Sequence, residues 1–168
     1  MTNSIKTFSN YFAILLLTSF LAACATAPTE TTSSTSTGQS QVVGGVYVGT
    51  ETIEMLAVDV PDRVFFAYDS YSLAASAQAT LNKQAKWLKA NPSVAIAVEG
   101  HADERGTREY NLALGDRRAS SVKDYLMSQG ISSNRISTIS YGKERPVKSG
   151  SNDTAWAQNR RSVSVRTN

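Results

Sequence analysis

Val98 to Ala119, VEGHADERGTREYNLALGDRRA, sets a dense group of charges between two segments that pattern as core. Before it, Val94, Ile96 and Val98 alternate with alanines, the period of a strand; after it, Val122, Tyr125 and Leu126 recur at helical spacing. The charges therefore occupy a strand-to-helix junction. Arg118 lies four residues after Leu114 and four before Val122, on the helix face that packs inward. A buried guanidinium requires an anion, either internal or brought by a ligand.

The flanking pattern extends this unit. Val64, Phe65 and Phe66 form a short apolar run within 63–67, a first strand. Leu73, Ala77, Leu81, Ala85 and Leu88 predict a helix from about Ser72 to the Asn91-Pro92 boundary. The second strand is 94–98, and the second helix starts with Thr107 as N-cap and ends at Gly130. A third strand, 136–141, precedes a polar loop with a helical turn near 155–159, and 161–166 closes the unit with Val163 and Val165 alternating against Ser162, Ser164 and Arg166. The expected fold is an α/β sandwich, β-α-β-α-β-(α)-β, with helices on one face of a mixed sheet across residues 61–168.

The N-terminus reads differently. Lys6 and the terminal amine precede an apolar run, 11–20, and then Leu21-Ala22-Ala23-Cys24, which is the form of a secretory signal over residues 1–23. The run is too short for a spanning helix. Leu-Ala-Ala-Cys resembles the bacterial lipobox, which implies lipidation of Cys24, and Ala25 in place of an aspartate is similar to lipoproteins sorted to the outer membrane. Stable anchoring needs more than one acyl chain, which a triacylated Cys24 supplies. Residues 25–41 are rich in Thr and Ser and poor in large apolar groups, so they read as an unfolded tether reaching at most roughly 55 Å. Residues 42–60 are too apolar for a linker, yet glycines interrupt them; they suit a short strand or hairpin docked on the domain.

Composition narrows the chemistry. The net charge is +3, but basic and acidic residues are interleaved, so no nucleic-acid footprint emerges. One cysteine rules out an internal disulfide framework and any multi-thiolate metal site. His101 is the sole histidine, too few nitrogen ligands for hydrolytic zinc, and the motifs of a nucleophile elbow or phosphate loop are missing. A hydrolase built on His101 and Asp103 would need a serine supplied by folding. Ion-pair recognition is the stronger chemistry: Asp103 and Arg118 could hold the ammonium and carboxylate of a zwitterion. The alternative is an internal Asp103–Arg118 salt bridge, and residue types alone do not decide between them.

Gly100-His101-Ala102-Asp103-Glu104-Arg105-Gly106-Thr107, Tyr110-Asn111, Leu114-Gly115, Arg117-Arg118-Ala119, Ser140-Tyr141-Gly142-Lys143-Glu144-Arg145-Pro146 and Asn159-Arg160-Arg161 resemble the OmpA-like peptidoglycan-binding domain family. The resemblance implies non-enzymatic, cofactor-free binding of the meso-diaminopimelate stem of peptidoglycan, tethering the outer membrane to the cell wall. It implies that Asp103 and Arg118 grip the ammonium and carboxylate of that residue, that Tyr68 and Asp69 help enclose it, and that Thr107 and Leu114 line the pocket. Ala67 stands where many members carry an acid, leaving Asp69 as the carboxylate of that loop. Implied partners are TolB and the Tol complex, with roles in envelope integrity and cell division. A module that binds only Tol proteins is the remaining alternative.

Overall fold

The computed structural model describes residues 42–43, 46–47 and 55–167. The signal segment, Cys24 and the tether lie outside the described residues. Two small hairpins come first: β1 (Val42–Val43) pairs antiparallel with β2 (Val46–Tyr47), and β3 (Met55–Ala57) with β4 (Val60–Pro61). Then follow β5 (Arg63–Phe65), α1 (Ala75–Ala90), β6 (Ile96–His101), α2 (Arg108–Ser128), β7 (Ile136–Gly142), α3 (Asp153–Asn159) and β8 (Arg161–Arg166). This is the expected order of elements. None of the described helices is long and apolar enough to cross a membrane.

Several boundaries moved for local reasons. α1 begins at Ala75 rather than Ser72, because the Ser72 N–H donates to Ser70 Oγ at 3.1 Å in a turn that competes with helix. It ends where Asn91 Nδ2 donates to Trp87 O at 2.8 Å and Pro92 bars continuation. β6 starts two residues later than its apolar pattern and continues through Gly100 and His101. Thr107 caps α2 as expected, its hydroxyl accepting from the Tyr110 N–H at 3.2 Å.

The sheet order is β5-β8-β6-β7. β8 is antiparallel to both β5 and β6, and β7 is parallel to β6, so β5, β6 and β7 all run one way and β8 is threaded between them. The carboxyl ends of β5 and β6 and the amino end of β8 thus meet at one edge.

Register fixes which face each residue takes. Val64 opposes Ser162 and Val98 opposes Ser164, so on β8 the serines, not the valines, face the helices. Ser164 Oγ bonds Gln84 Oε1 at 2.9 Å, and Gln84 Nε2 donates to Pro61 O at 2.7 Å, satisfying a glutamine that is fully buried on α1. The main core joins Val64, Phe66, Ile96, Val98 and Ile136 of the sheet side to Leu81 and Leu88 of α1 and Val122 and Leu126 of α2. Leu56 and Val60, from the β3–β4 hairpin, belong to the same core. α1 and α2 cover one face, whereas Ala157 of α3 forms a separate cluster with Phe65.

Candidate functional site

The cleft lies at the edge where β5, β6 and β8 ends converge, the position at which open α/β sheets bind ligands. Tyr68 and Asp69 come from the loop after β5, Asp103 and Arg105 from the loop after β6, Arg160 from the residue entering β8, and Leu114 and Arg118 from α2. Its volume is about 200 Å³.

Close backbone packing brings α2 under this edge. A Cβ on Gly100 would lie 1.8 Å from Gly115 O, and one on Gly115 would lie 2.3 Å from Ser140 Oγ, so neither position admits a side chain. Gly115 presses the helix onto β6, and Arg118, three residues on, occupies the same face. Its side chain is almost wholly buried, yet it contributes to the lining of the cleft. Nε donates to Ser70 O at 2.8 Å, Nη1 to His101 O at 2.8 Å and Nη2 to Ala67 O at 3.2 Å. Phe66 packs 5.2 Å from the guanidinium carbon. Among the described residues no carboxylate comes within salt-bridge distance of Arg118. Burial, then repulsion from Arg160, lowers its pKa to about 10, so it is charged at neutral pH.

The internal Asp103–Arg118 bridge is therefore not formed. Asp103 instead accepts from Arg105 Nη2 at 2.6 Å, Arg105 Nε at 3.2 Å and Arg160 Nη1 at 3.3 Å. Burial would raise the Asp103 pKa, but these hydrogen bonds outweigh it and hold the carboxyl below the usual range. The other wall carries Asp69, whose backbone sits in the left-handed region at φ 50°, a conformation aspartate tolerates better than most residues. Its carboxylate accepts a hydrogen bond from the Tyr110 hydroxyl. That contact raises the tyrosine pKa. Three guanidinium groups and two carboxylates surround the cleft, an excess of one positive charge.

Of the residues singled out from sequence, Asp103, Arg118, Asp69, Tyr68 and Leu114 all reach this cleft. Thr107 does not: its hydroxyl is committed to capping α2, and the neighbouring Gly106 lines the wall instead. Arg105, Tyr110, Asn111 and Arg160 are additional. Arg160 could not be placed from sequence, because only the threading of β8 between β5 and β6 brings it to Asp103. Arg105 sits two residues from Asp103, and that spacing was the available signal.

The loop carrying Asp103 is braced on several sides. Asn111 Nδ2 donates to Arg105 O at 2.8 Å, Lys143 Nζ to Gly106 O at 2.7 Å, and Trp156 Nε1 to Glu104 Oε1 at 2.9 Å. His101 lies apart. Its ring is on the sheet face away from α2, near Tyr141, and it is 1% exposed. Burial, then the charges of Arg161, Arg145 and Arg63, lower its pKa to about 3. Among the described residues no group of three metal-ligating side chains converges.

Comparison with known proteins identifies relatives in sequence and in fold. The peptidoglycan-associated lipoprotein of Brucella melitensis is 59% identical over 108 residues, covering 64% of each chain. That of Pseudomonas putida is 52% identical over 97 residues, covering 58% of each. The present chain thus spans somewhat under two thirds of the length of these relatives. The crystal structure of the peptidoglycan-associated lipoprotein from Burkholderia pseudomallei, 43% identical, covers 63% of this chain and 90% of its own, with a TM-score of 0.62. The C-terminal domain of Helicobacter pylori MotB, at 22% identity and TM-score 0.59, shares the fold. The OmpA family model matches residues 65–160, more than half of the sequence, and the chain belongs to the OmpA family.

Proposed function

We propose that the cleft binds the peptide stem of peptidoglycan without covalent chemistry, by the free end of meso-diaminopimelate. The observation that carries this reading is Arg118, a fully buried cation with no carboxylate partner among the described residues at the wall of a cleft. A guanidinium has five N–H groups, and Arg118 donates three to backbone carbonyls, leaving one on Nη1 and one on Nη2. That pair can fork onto a ligand carboxylate. Asp103 takes the neighbouring ammonium, and Tyr68 and Asp69 enclose the group from the facing loop. The relatives, named peptidoglycan-associated lipoproteins, support peptidoglycan as the source of this zwitterion.

A hydrolase using His101 and Asp103 is poorly supported. His101 is buried on another face, and Asp103, committed to two arginines, is held ionised by strong donors and is a weak base. The reading therefore is a tether: a lipoprotein anchored through Cys24 in the outer membrane, its domain reaching the cell wall, with TolB and the Tol complex as partners.

Co-sedimentation with purified sacculi tests it. The unsubstituted protein pellets without releasing soluble fragments, whereas Arg118→Ala and Asp103→Ala remain in the supernatant and still melt cooperatively. Variants that pellet normally contradict the site, fragment release would favour the enzyme, and TolB binding without wall binding would favour the protein-only module. For the anchor, Cys24→Ser should wash off outer membranes in carbonate.

A further inference from the structure

Asp103 already has a cation where the ligand's ammonium would go. Its side chain is 5% exposed, and besides the side-chain donors above it accepts from the Arg105 N–H at 3.1 Å. An ammonium therefore reaches this carboxylate only if a resident donor leaves. The two arginines differ in their freedom to do so. The Arg160 side chain is 6% exposed and its Nε is fixed on Phe66 O at 3.0 Å. The Arg105 side chain is 31% exposed, and beyond Asp103 its guanidinium lies between the rings of Tyr68 and Trp156, 4.1 Å from each centroid.

We propose that Arg105 is a resident stand-in for the ligand's ammonium, and that binding is an exchange in which the ammonium takes Asp103 and the Arg105 guanidinium moves off it. The inference rests on the reading that Asp103 receives an ammonium. The exchange keeps the buried Asp103 carboxylate paired in both states, so that carboxylate never becomes an uncompensated buried charge. It also sets specificity. A ligand carboxylate alone has nothing to offer Asp103 in place of Arg105, so an analogue with its amine acetylated cannot complete the exchange. Tyr68 and Trp156 hold the displaced guanidinium near the site, since a stacked cation retains its attraction to aromatic faces after its salt bridge is lost.

The chain has two tryptophans, Trp87 and Trp156, so Trp87→Phe in the full-length protein leaves Trp156 as the fluorescent reporter. Titration with a meso-diaminopimelate peptide should change Trp156 emission at the midpoint of the calorimetric heat, and the acetylated analogue should leave it unchanged. Arg105→Gln, which removes the charge and retains a stem between the rings, should bind the peptide several-fold more tightly. Binding heat with unchanged Trp156 emission, or weaker binding by Arg105→Gln, overturns the exchange while leaving the peptide reading intact. No binding heat in the unsubstituted protein overturns the peptide reading and the exchange with it. If Arg105→Gln fails to fold, the Trp156 titration with arginine in place decides alone.

Discussion

Arg63 and Arg118 are both buried arginines on one small sheet domain, but they are satisfied in different ways. Arg63, on β5, donates Nε and Nη2 to the two oxygens of Asp62 at 2.7 and 2.8 Å, and both side chains are almost hidden. Arg118 has carbonyls alone among the described residues. Arg135 is also held by three carbonyls, but it is partly exposed and caps the end of α1, where carbonyls carry partial negative charge. Arg118 combines full burial, no carboxylate partner among the described residues and a repelling neighbour in Arg160. Arg63 carries its counter-ion in the sequence beside it, whereas Arg118, in the proposed reading, receives one from the ligand.

The largest effect that separates the two is on stability. Arg63→Ala leaves Asp62 buried without its partner and should cost about 3–5 kcal/mol in chemical denaturation. Arg118→Met loses three hydrogen bonds but also relieves an unpaired buried charge, so its cost should be smaller than that of Arg63→Ala. Equal losses would remove the distinction between them.

Next is the pH response of the sheet face that carries Arg63. His101 titrates near 6.5 when unfolded and near 3 when folded, so the unfolded state binds the extra proton. Its contribution is complete above pH 6.5 and is lost as pH falls toward 3, at up to about 1.4 kcal/mol per pH unit. His101→Gln should flatten melting temperature against pH in that window, whatever it does to the plateau. Binding to the cleft should show no step between pH 5 and 8, because Asp103 is held below its usual pKa and Arg118 titrates near 10. The smallest effect is Tyr110→Phe, which removes the exposed hydrogen bond to Asp69. Its melting temperature should stay unchanged and its peptide affinity should shift only a few-fold by calorimetry.

The contrast between these arginines was partly legible in the residues. Helical spacing from Leu114 through Arg118 to Val122 places Arg118 inward, and burial bears that out. The β-α-β-α-β-(α)-β order and the Thr107 cap were equally readable, because periodicity and capping are local. What satisfies each charge was not, since it depends on non-local pairing. Asp103 and Arg118 look like partners from their spacing, yet β8 threads between β5 and β6 and delivers Arg160 to Asp103, while Arg105 folds back onto the same carboxylate. The alternation of β8 was visible but not its direction: small serines face the helices, and Val165 is 40% exposed.

The most direct test of the central claim is a calorimetric competition between a meso-diaminopimelate peptide and the same peptide with lysine in its place, which keeps the ammonium and lacks the adjoining carboxylate. Recognition through Arg118 predicts that the lysine peptide binds at least about 100-fold more weakly, near the loss of a charge-assisted, partly buried contact. Arg118→Ala should bind both peptides equally poorly. Comparable affinity of the unsubstituted protein for the two peptides would contradict the assignment of Arg118 to the ligand carboxylate.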